Sequence, residues 1–257
     1  MIEKQLYQTN SQERFSNRAE DYAKYRPSYS SKAVECISEG LRNPNQLIAA
    51  DIGAGTGISS RLLADRGVKV IAVEPNAAMR QAATPHSLIQ FEDGNAENTQ
   101  LQDNSVDLVT CFQAFHWFNP EPTLKEFARI LKPQGRLAIV WNNRDRQDKF
   151  TKEYGNLMKI ASKAKSKSTS RKDKIKSLHN TSFFSSVSHL VFSHQHTLDR
   201  DGLIGRAMSA SYVPKTGKIN QKLTKKLNKL YDRYCDDDGL VYFKYKTEVY
   251  LTSPVFS

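Results

Sequence analysis

Between Leu47 and Gly57 the chain reads Leu-Ile-Ala-Ala-Asp-Ile-Gly-Ala-Gly-Thr-Gly, and a second apolar run, Val68 to Val73, ends at Glu74. An aspartate, three alternating glycines and a later carboxylate are the residue types that hold a nucleotide-like ligand by close backbone approach and by its ribose. Glycine has no Cβ, so at these positions the backbone can turn tightly and come near a ligand. Glu74, at the end of the second strand, is placed to accept hydrogen bonds from a ribose diol. The spacing also excludes one class of ligand. A dinucleotide fingerprint, G-x-G-x-x-G, needs glycine at 58, where this chain has Ile58. A nicotinamide-dependent oxidoreductase is therefore disfavoured.

Positioning those residues requires strand, turn, helix, strand. Leu47 to Ile52 is an apolar run of strand length, and Ile58 to Ala64 has the spacing of a helix that packs back with its N-terminal amides facing the ligand. A short third strand is expected before Phe91-Glu92-Asp93-Gly94-Asn95-Ala96-Glu97, and a fourth over Ser105 to Cys111, led by Asp107. Gln113 to Phe118 follow it. A helix over Leu124 to Leu131, a turn at Lys132 to Gly135 and a fifth strand over Arg136 to Trp141 complete the core.

This order resembles the class I S-adenosylmethionine-dependent methyltransferases, with motif I at Asp51 to Gly57, the acid at the end of strand two, and "GNAE", "DNSVDLV" and "ARILKPQGRLAIVW" in sequence. Phe15 to Pro27 and Ala114-Phe115-His116-Trp117-Phe118 are similar to the type 11 subgroup related to trans-aconitate methyltransferases. The resemblance implies an α/β, Rossmann-like fold: a mostly parallel seven-stranded sheet with an antiparallel last strand, helices on both faces and a helical cap. It implies S-adenosylmethionine as cofactor. Gly53 and Gly55 then pass under its methionine portion, with Asp51 organising the loop. Glu74 takes the ribose hydroxyls, and Pro75 and Met79 cover the adenine. Asn95, through its side-chain oxygen, and Ala96, through its amide, meet the adenine edge, and Gln113 and Ala114 border the methionine portion. Many relatives carry Asp where this chain has Asn95.

His116 and Trp117 follow strand four, where the transferred methyl is expected. Two roles are open to His116, contact with the substrate or a base near neutral pH, and a structural role is the third. Arg18, Tyr22, Tyr25 and Arg26 resemble the family's N-terminal lid, and Arg206, Ser209, Ser211 and Tyr212 are candidates for the substrate side of the cap. Methyl transfer from a sulfonium needs alignment and exclusion of water, and neither a triad nor a metal. None is expected here. His194 and His196 alternate on one strand face without a convergent third ligand, and Asp236 to Gly239 reads as a turn.

A chain of 257 residues supports one domain. It divides into an N-terminal lid (11–41), a cofactor-binding core (46–145), cap insertions (148–180 and 199–235) and closing strands (187–198 and 240–251). Three scattered cysteines, no long apolar run and a polar N-terminus lead to the expectation of a cytoplasmic enzyme with reduced thiols and no membrane partner. Charge is asymmetric. Residues 1–148 carry 17 Lys+Arg against 18 Asp+Glu, whereas residues 149–257 carry 21 against 9, so the whole excess of +11 lies in the second half. It clusters over Lys149 to Lys176 and Lys215 to Lys229, either as solvated helix faces or as an attractant for anions. The expected acceptor is a small anionic or carboxylate-bearing molecule. The alternatives are RNA as acceptor and a non-catalytic cofactor-binding protein.

Overall fold

A computed structural model describes residues 24–161, 171–210, 212–214 and 216–255. Arg18, Tyr22, Ser211 and the lysines between 162 and 170 lie outside the described residues, as does most of the segment expected to form the lid. The elements are α1 (Ser31–Ser38), β1 (Ile48–Ile52), α2 (Ile58–Ala64), β2 (Lys69–Val73), α3 (Ala77–Gln81), β3 (Ile89–Glu92), β4 (Val106–Phe112), α4 (Pro120–Ile130), β5 (Leu131–Arg144), α5 (Lys149–Ala161), α6 (Arg171–His179), β6 (Ser188–Leu198), α7 (Arg200–Met208), α8 (Lys218–Tyr234) and β7 (Val241–Thr252).

The seven strands are ordered β3-β2-β1-β4-β5-β7-β6. The first five are parallel, and β7 runs antiparallel between β5 and β6. This is the Rossmann-like class I methyltransferase fold. The chain leaves β1 in one direction towards β2 and β3, then crosses to β4 on the other side. That reversal opens a crevice at the carboxyl ends of β1 and β4, the place where open α/β sheets bind ligands.

Both sheet faces are covered, which is why β1 and β4 are near-continuous apolar runs. One face packs Ile52, Val109, Cys111 and Ile139 against Leu124, Phe127 and Ile130 of α4 and Leu178 of α6. The other packs Ala49, Leu108, Phe112 and Val140 against α1 and α2. A third cluster joins α5, α7 and α8 to the β6–β7 end of the sheet through Tyr154, Leu203, Leu227 and Phe243. Each fully buried side chain of this size contributes about 1.5–3 kcal/mol. Asp107, the acid leading β4, accepts from the Ile48 amide at 2.9 Å and pairs with Lys132, so it fixes where β1 and β5 begin.

Several boundaries differ from the sequence reading. Phe91 and Glu92 belong to β3 itself, because they pair with β2. The helix α4 starts at Pro120, where proline suits the first turn, and ends at Ile130. Strand pairing resumes at once with Leu131, and the expected turn at Lys132 to Gly135 is an irregularity between the pairs Val106–Leu131 and Leu108–Arg136. The expected lid over 11–41 includes α1, which is a core helix: Ala33, Val34 and Ile37 are buried on the sheet, and Arg136 donates to the Ile37 and Glu39 carbonyls. The basic segment 148–180 also divides. Its first helix joins the cap, while α6 packs against the turn at Phe115–Trp117 and donates from Lys174 Nζ to the Phe118 carbonyl at 2.6 Å. In α8 the buried side is Leu223, Leu227, Leu230 and Tyr231, and Lys218, Lys222, Lys225 and Lys226 are exposed. Those lysines are a solvated face.

Candidate functional site

The crevice is built around a buried carboxylate. Asp51 is fully buried, accepting from Ser59 and Ser60 hydroxyls at 2.7 Å each and from Thr110 at 2.9 Å. Burial pushes its carboxyl above the ordinary range, and the three hydroxyls act against that shift. One side chain thus ties the end of β1 to the start of α2 and to β4. Ser59, Ser60 and Thr110 were not marked by any spacing in the sequence.

The glycine turn fits between these elements with little room. Gly53 has φ +71°, and a Cβ there would stand 2.7 Å from the Ala114 Cβ and 3.0 Å from the Phe118 ring. Gly55, at φ +60°, faces open space. Its amide donates to Glu74 Oε2 at 2.9 Å, while Glu74 Oε1 accepts from Asn76 at 2.9 Å. Glu74 is 8% exposed, and burial raises its pKa. Each carboxylate oxygen carries two acceptor sites, so both retain capacity for a ligand hydroxyl. Asn76 caps α3 by accepting from Ala78 and Met79, which sets Met79 into the wall behind Pro75.

Gln113, the residue after β4, is in the left-handed region, at φ +56°, a conformation uncommon for a residue with a Cβ and concentrated at functional sites. Its side chain donates to the Asn142 carbonyl at 2.9 Å and accepts from Arg171 at 3.3 Å. Arg171 also donates to Asn143 and lies 5.9 Å from the Trp141 ring centre. Asn142 in turn accepts from Thr247 at 2.6 Å and donates to the Ser28 carbonyl at 2.8 Å, fastening the segment before α1 to the end of β5.

Two expectations require correction. The Asn95 side-chain oxygen accepts from the amides of Glu97 (3.1 Å) and Asn98 (2.8 Å), closing a turn. Both of its lone pairs are engaged, so the expected adenine contact through that oxygen is not available. Ala96 sits in the same turn, 2% exposed. Of the roles open to His116, that of a base near neutral pH is the one the structure disfavours. Burial, with Arg171 and Lys174 close by, brings its pKa down to about 3, so the imidazole is neutral at physiological pH and a weak base. Its Nδ1 is buried with no hydrogen-bond partner among the described residues, and its ring lies 5.0 Å from that of Trp117.

The remaining expected residues gather in the cap. Tyr25 lies on Gly205, where its ring leaves no room for a Cβ, and Arg26 follows it. Arg206 is 4% exposed, next to Tyr154 and Tyr245, while Tyr212 is exposed at the edge of this group. Arg144, Tyr154, Arg171 and Tyr245 went unrecognised because they fall within ordinary helix and strand patterns. No group of three or more His, Cys, Asp or Glu suited to a metal occurs among the described residues, and none of their helices is long and apolar enough to cross a membrane. The Asp236 turn forms as expected, its carboxylate accepting from Asp238 and Leu240 amides.

Residues 50–139 match the family described as "Methyltransferase domain". An uncharacterized methyltransferase of Mycobacterium tuberculosis is 38% identical over 140 residues, 53% of this chain and 55% of the relative. The match thus spans about half the length of the curated relative. A solved structure from Anabaena variabilis, described as a methyltransferase from an antibiotic biosynthesis pathway, is 26% identical with TM-score 0.60, over 85% of this chain and 96% of the other. A structure from Anaeromyxobacter dehalogenans, described as a type II methyltransferase, shares the fold with TM-score 0.61 at 20% identity, over 88% and 97%.

Proposed function

We propose that the chain, which carries a methyltransferase domain at residues 50–139 within a class I methyltransferase fold, transfers a methyl group from S-adenosylmethionine to a small, anionic acceptor. The observation that supports this most directly is the pairing of Gly55 with Glu74, which joins the ends of β1 and β2 beside the β1–β4 crevice, in a turn that is open above Gly55 and lacks the third glycine of a dinucleotide site. The cofactor supplies a methyl group on a positively charged sulfur that is already a good leaving group.

The residues present suit it. Gly53 and Gly55 form a floor for the methionine portion, held by Asp51. Glu74 receives the ribose hydroxyls, Pro75 and Met79 flank the adenine, and the Ala96 amide serves its edge. Gln113 and Ala114 bound the sulfonium side. With the cofactor charge delivered by binding, the work left to the protein is alignment and exclusion of water, and orientation alone supplies roughly 7–11 kcal/mol of a barrier. His116, neutral beside Arg171 and Lys174, orients the acceptor by hydrogen bonding and does not remove a proton. Tyr25 and Arg26 close the acceptor side.

The anionic character of the acceptor rests on Arg171, which reaches Gln113 at the crevice, and on Arg144 and Arg206 near Tyr154 at the β5–β7 end of the sheet, since the α8 lysines point to solvent. The test is formation of S-adenosylhomocysteine when the protein and S-adenosylmethionine are given fractions of small acidic metabolites. Formation with an acidic fraction and not with neutral ones supports the reading. Formation with neutral fractions alone, or with RNA alone, contradicts it.

A further inference from the structure

Four buried polar atoms without a hydrogen-bond partner among the described residues gather at the β5–β7–β6 end of the sheet, Arg206 Nε, the Tyr154 hydroxyl, His194 Nε2 and His196 Nδ1, and the Tyr245 hydroxyl lies with them beside Arg206. Buried polar atoms in folded proteins are nearly all paired, so such a group calls for an explanation. Strand register accounts for their meeting. Arg144, Tyr245 and His194 form one row across three strands, because Arg144 pairs with Tyr245 and Tyr245 with His194. His196 pairs with Phe243 in the next row. Above these rows, Tyr154 of α5 packs edge-on to Phe243 at 4.6 Å, with the Arg144 guanidinium 5.0 Å from its ring centre. Arg206 of α7 completes the roof within electrostatic reach of Tyr154, Tyr245 and His196.

No carboxylate among the described residues pairs with Arg206. Burying a guanidinium without a counter-charge costs several kcal/mol. The unpaired arginine and tyrosine atoms are donors, and burial keeps the Tyr154 phenol protonated.

We propose that Arg206, with the Tyr154 and Tyr245 hydroxyls and His196, is a receptor for a carboxylate on the acceptor, an anchor separate from the atom that is methylated. This rests on the methyltransferase reading for the word acceptor, and on the geometry alone for the carboxylate. The surroundings favour a partly apolar anion: Leu203, Ala207, Val213 and Phe243 line the same cluster beside the fully buried Arg206 and the half-buried Arg144. The cofactor's own carboxylate is a poor occupant. β7 is the third strand from β1, roughly 14 Å away at the usual strand spacing, whereas the glycine turn sits at the end of β1 itself. By the same spacing the anchor is roughly 10 Å from the end of β4, so the acceptor spans that distance.

The probes are sodium hexanoate, its neutral counterpart hexanamide and inorganic phosphate, each titrated into the full chain with and without S-adenosylhomocysteine. Hexanoate is expected to bind and raise the melting temperature, with hexanamide and phosphate inactive at the same concentration. Arg206→Gln should abolish hexanoate binding while leaving S-adenosylhomocysteine affinity within about twofold, and Tyr245→Phe, which keeps the ring, should weaken hexanoate about fivefold by loss of one hydrogen bond. Equal binding of hexanoate and hexanamide, binding of phosphate alone, or unchanged hexanoate affinity in Tyr245→Phe overturns the proposal, and the last two comparisons hold even if Arg206→Gln fails to fold. A tenfold loss of S-adenosylhomocysteine affinity in Arg206→Gln would assign the seat to the cofactor. Failure of the wild-type chain to bind S-adenosylhomocysteine would count against the methyltransferase reading and leave the carboxylate result standing.

Discussion

At the scale of single residues, Glu74 and His116 carry the sharpest consequences. In the proposed site Glu74 receives the ribose hydroxyls while also taking the Gly55 amide, so Glu74→Gln would remove charge from those contacts. Hydrogen bonds to charged groups are worth about 1.5–3 kcal/mol, which predicts S-adenosylhomocysteine affinity lower by about 10–100-fold in calorimetric titration. His116 makes a prediction about pH. Its folded pKa, about 3, lies below the ordinary value of about 6.5, so in that window the unfolded chain binds a proton that the folded chain refuses. Stability therefore falls as pH drops from 6.5 towards 3, by roughly 1–2 kcal/mol at pH 5 from this residue. His196, brought down to about 4 by burial with Arg206 and His194, adds a loss of the same sign. Urea melts at pH 7 and pH 5 should show a smaller difference in His116→Gln than in the wild type. An unchanged difference would mean that His116 is not held neutral. The positions of Asp51, Gly53, Gly55 and Glu74 were legible because their residue types are dictated by backbone approach and strand ends. The state of His116 was not, since it depends on tertiary burial and then on Arg171 and Lys174, more than fifty residues away.

At the scale of elements, the site depends on two joints. The first is the β1–α2 turn against the end of β4. Gly53→Ala would bring a Cβ to 2.7 Å from Ala114 in a left-handed conformation, so the turn must move away from β4. A stability loss of about 1–3 kcal/mol with loss of S-adenosylhomocysteine binding is expected from thermal melts and titration. The second joint is Asn142, which links β7 and the Ser28 carbonyl to the end of β5. Asn142→Ala should release the segment before α1, seen as faster tryptic cleavage after the exposed Lys24 with the sheet otherwise intact. The helices and strands themselves were readable from periodicity, with α2 placed at Ile58–Ala64 and β6 at Ser188–Leu198 close to expectation. The boundaries that moved did so for tertiary reasons. Pairing with β4 carries β5 back to Leu131, and burial on the sheet takes α1 out of the lid.

At the scale of the whole molecule, the strand order brings residues far apart in sequence to one edge of the crevice, and this is what sequence reading could not supply. Arg144 and Tyr245 are neighbours only because β7 inserts between β5 and β6. The charge asymmetry, plain in the composition, divides in the structure: the α8 lysines are exposed, whereas Arg171 and Lys174 of the basic 149–176 segment reach Gln113 and Phe118. Replacing Lys222, Lys225 and Lys226 by Glu is accordingly expected to leave turnover on the small acceptor within about twofold, since exposed charges are largely screened at physiological salt. The most direct test of the account is transfer of labelled methyl from S-adenosylmethionine into a cell extract separated into small acids, lipids, protein and RNA, comparing wild type with Glu74→Gln. The account predicts label in the small-acid fraction with the wild type and little with the variant; label in RNA, or none in any fraction from a chain that binds S-adenosylhomocysteine, would contradict it.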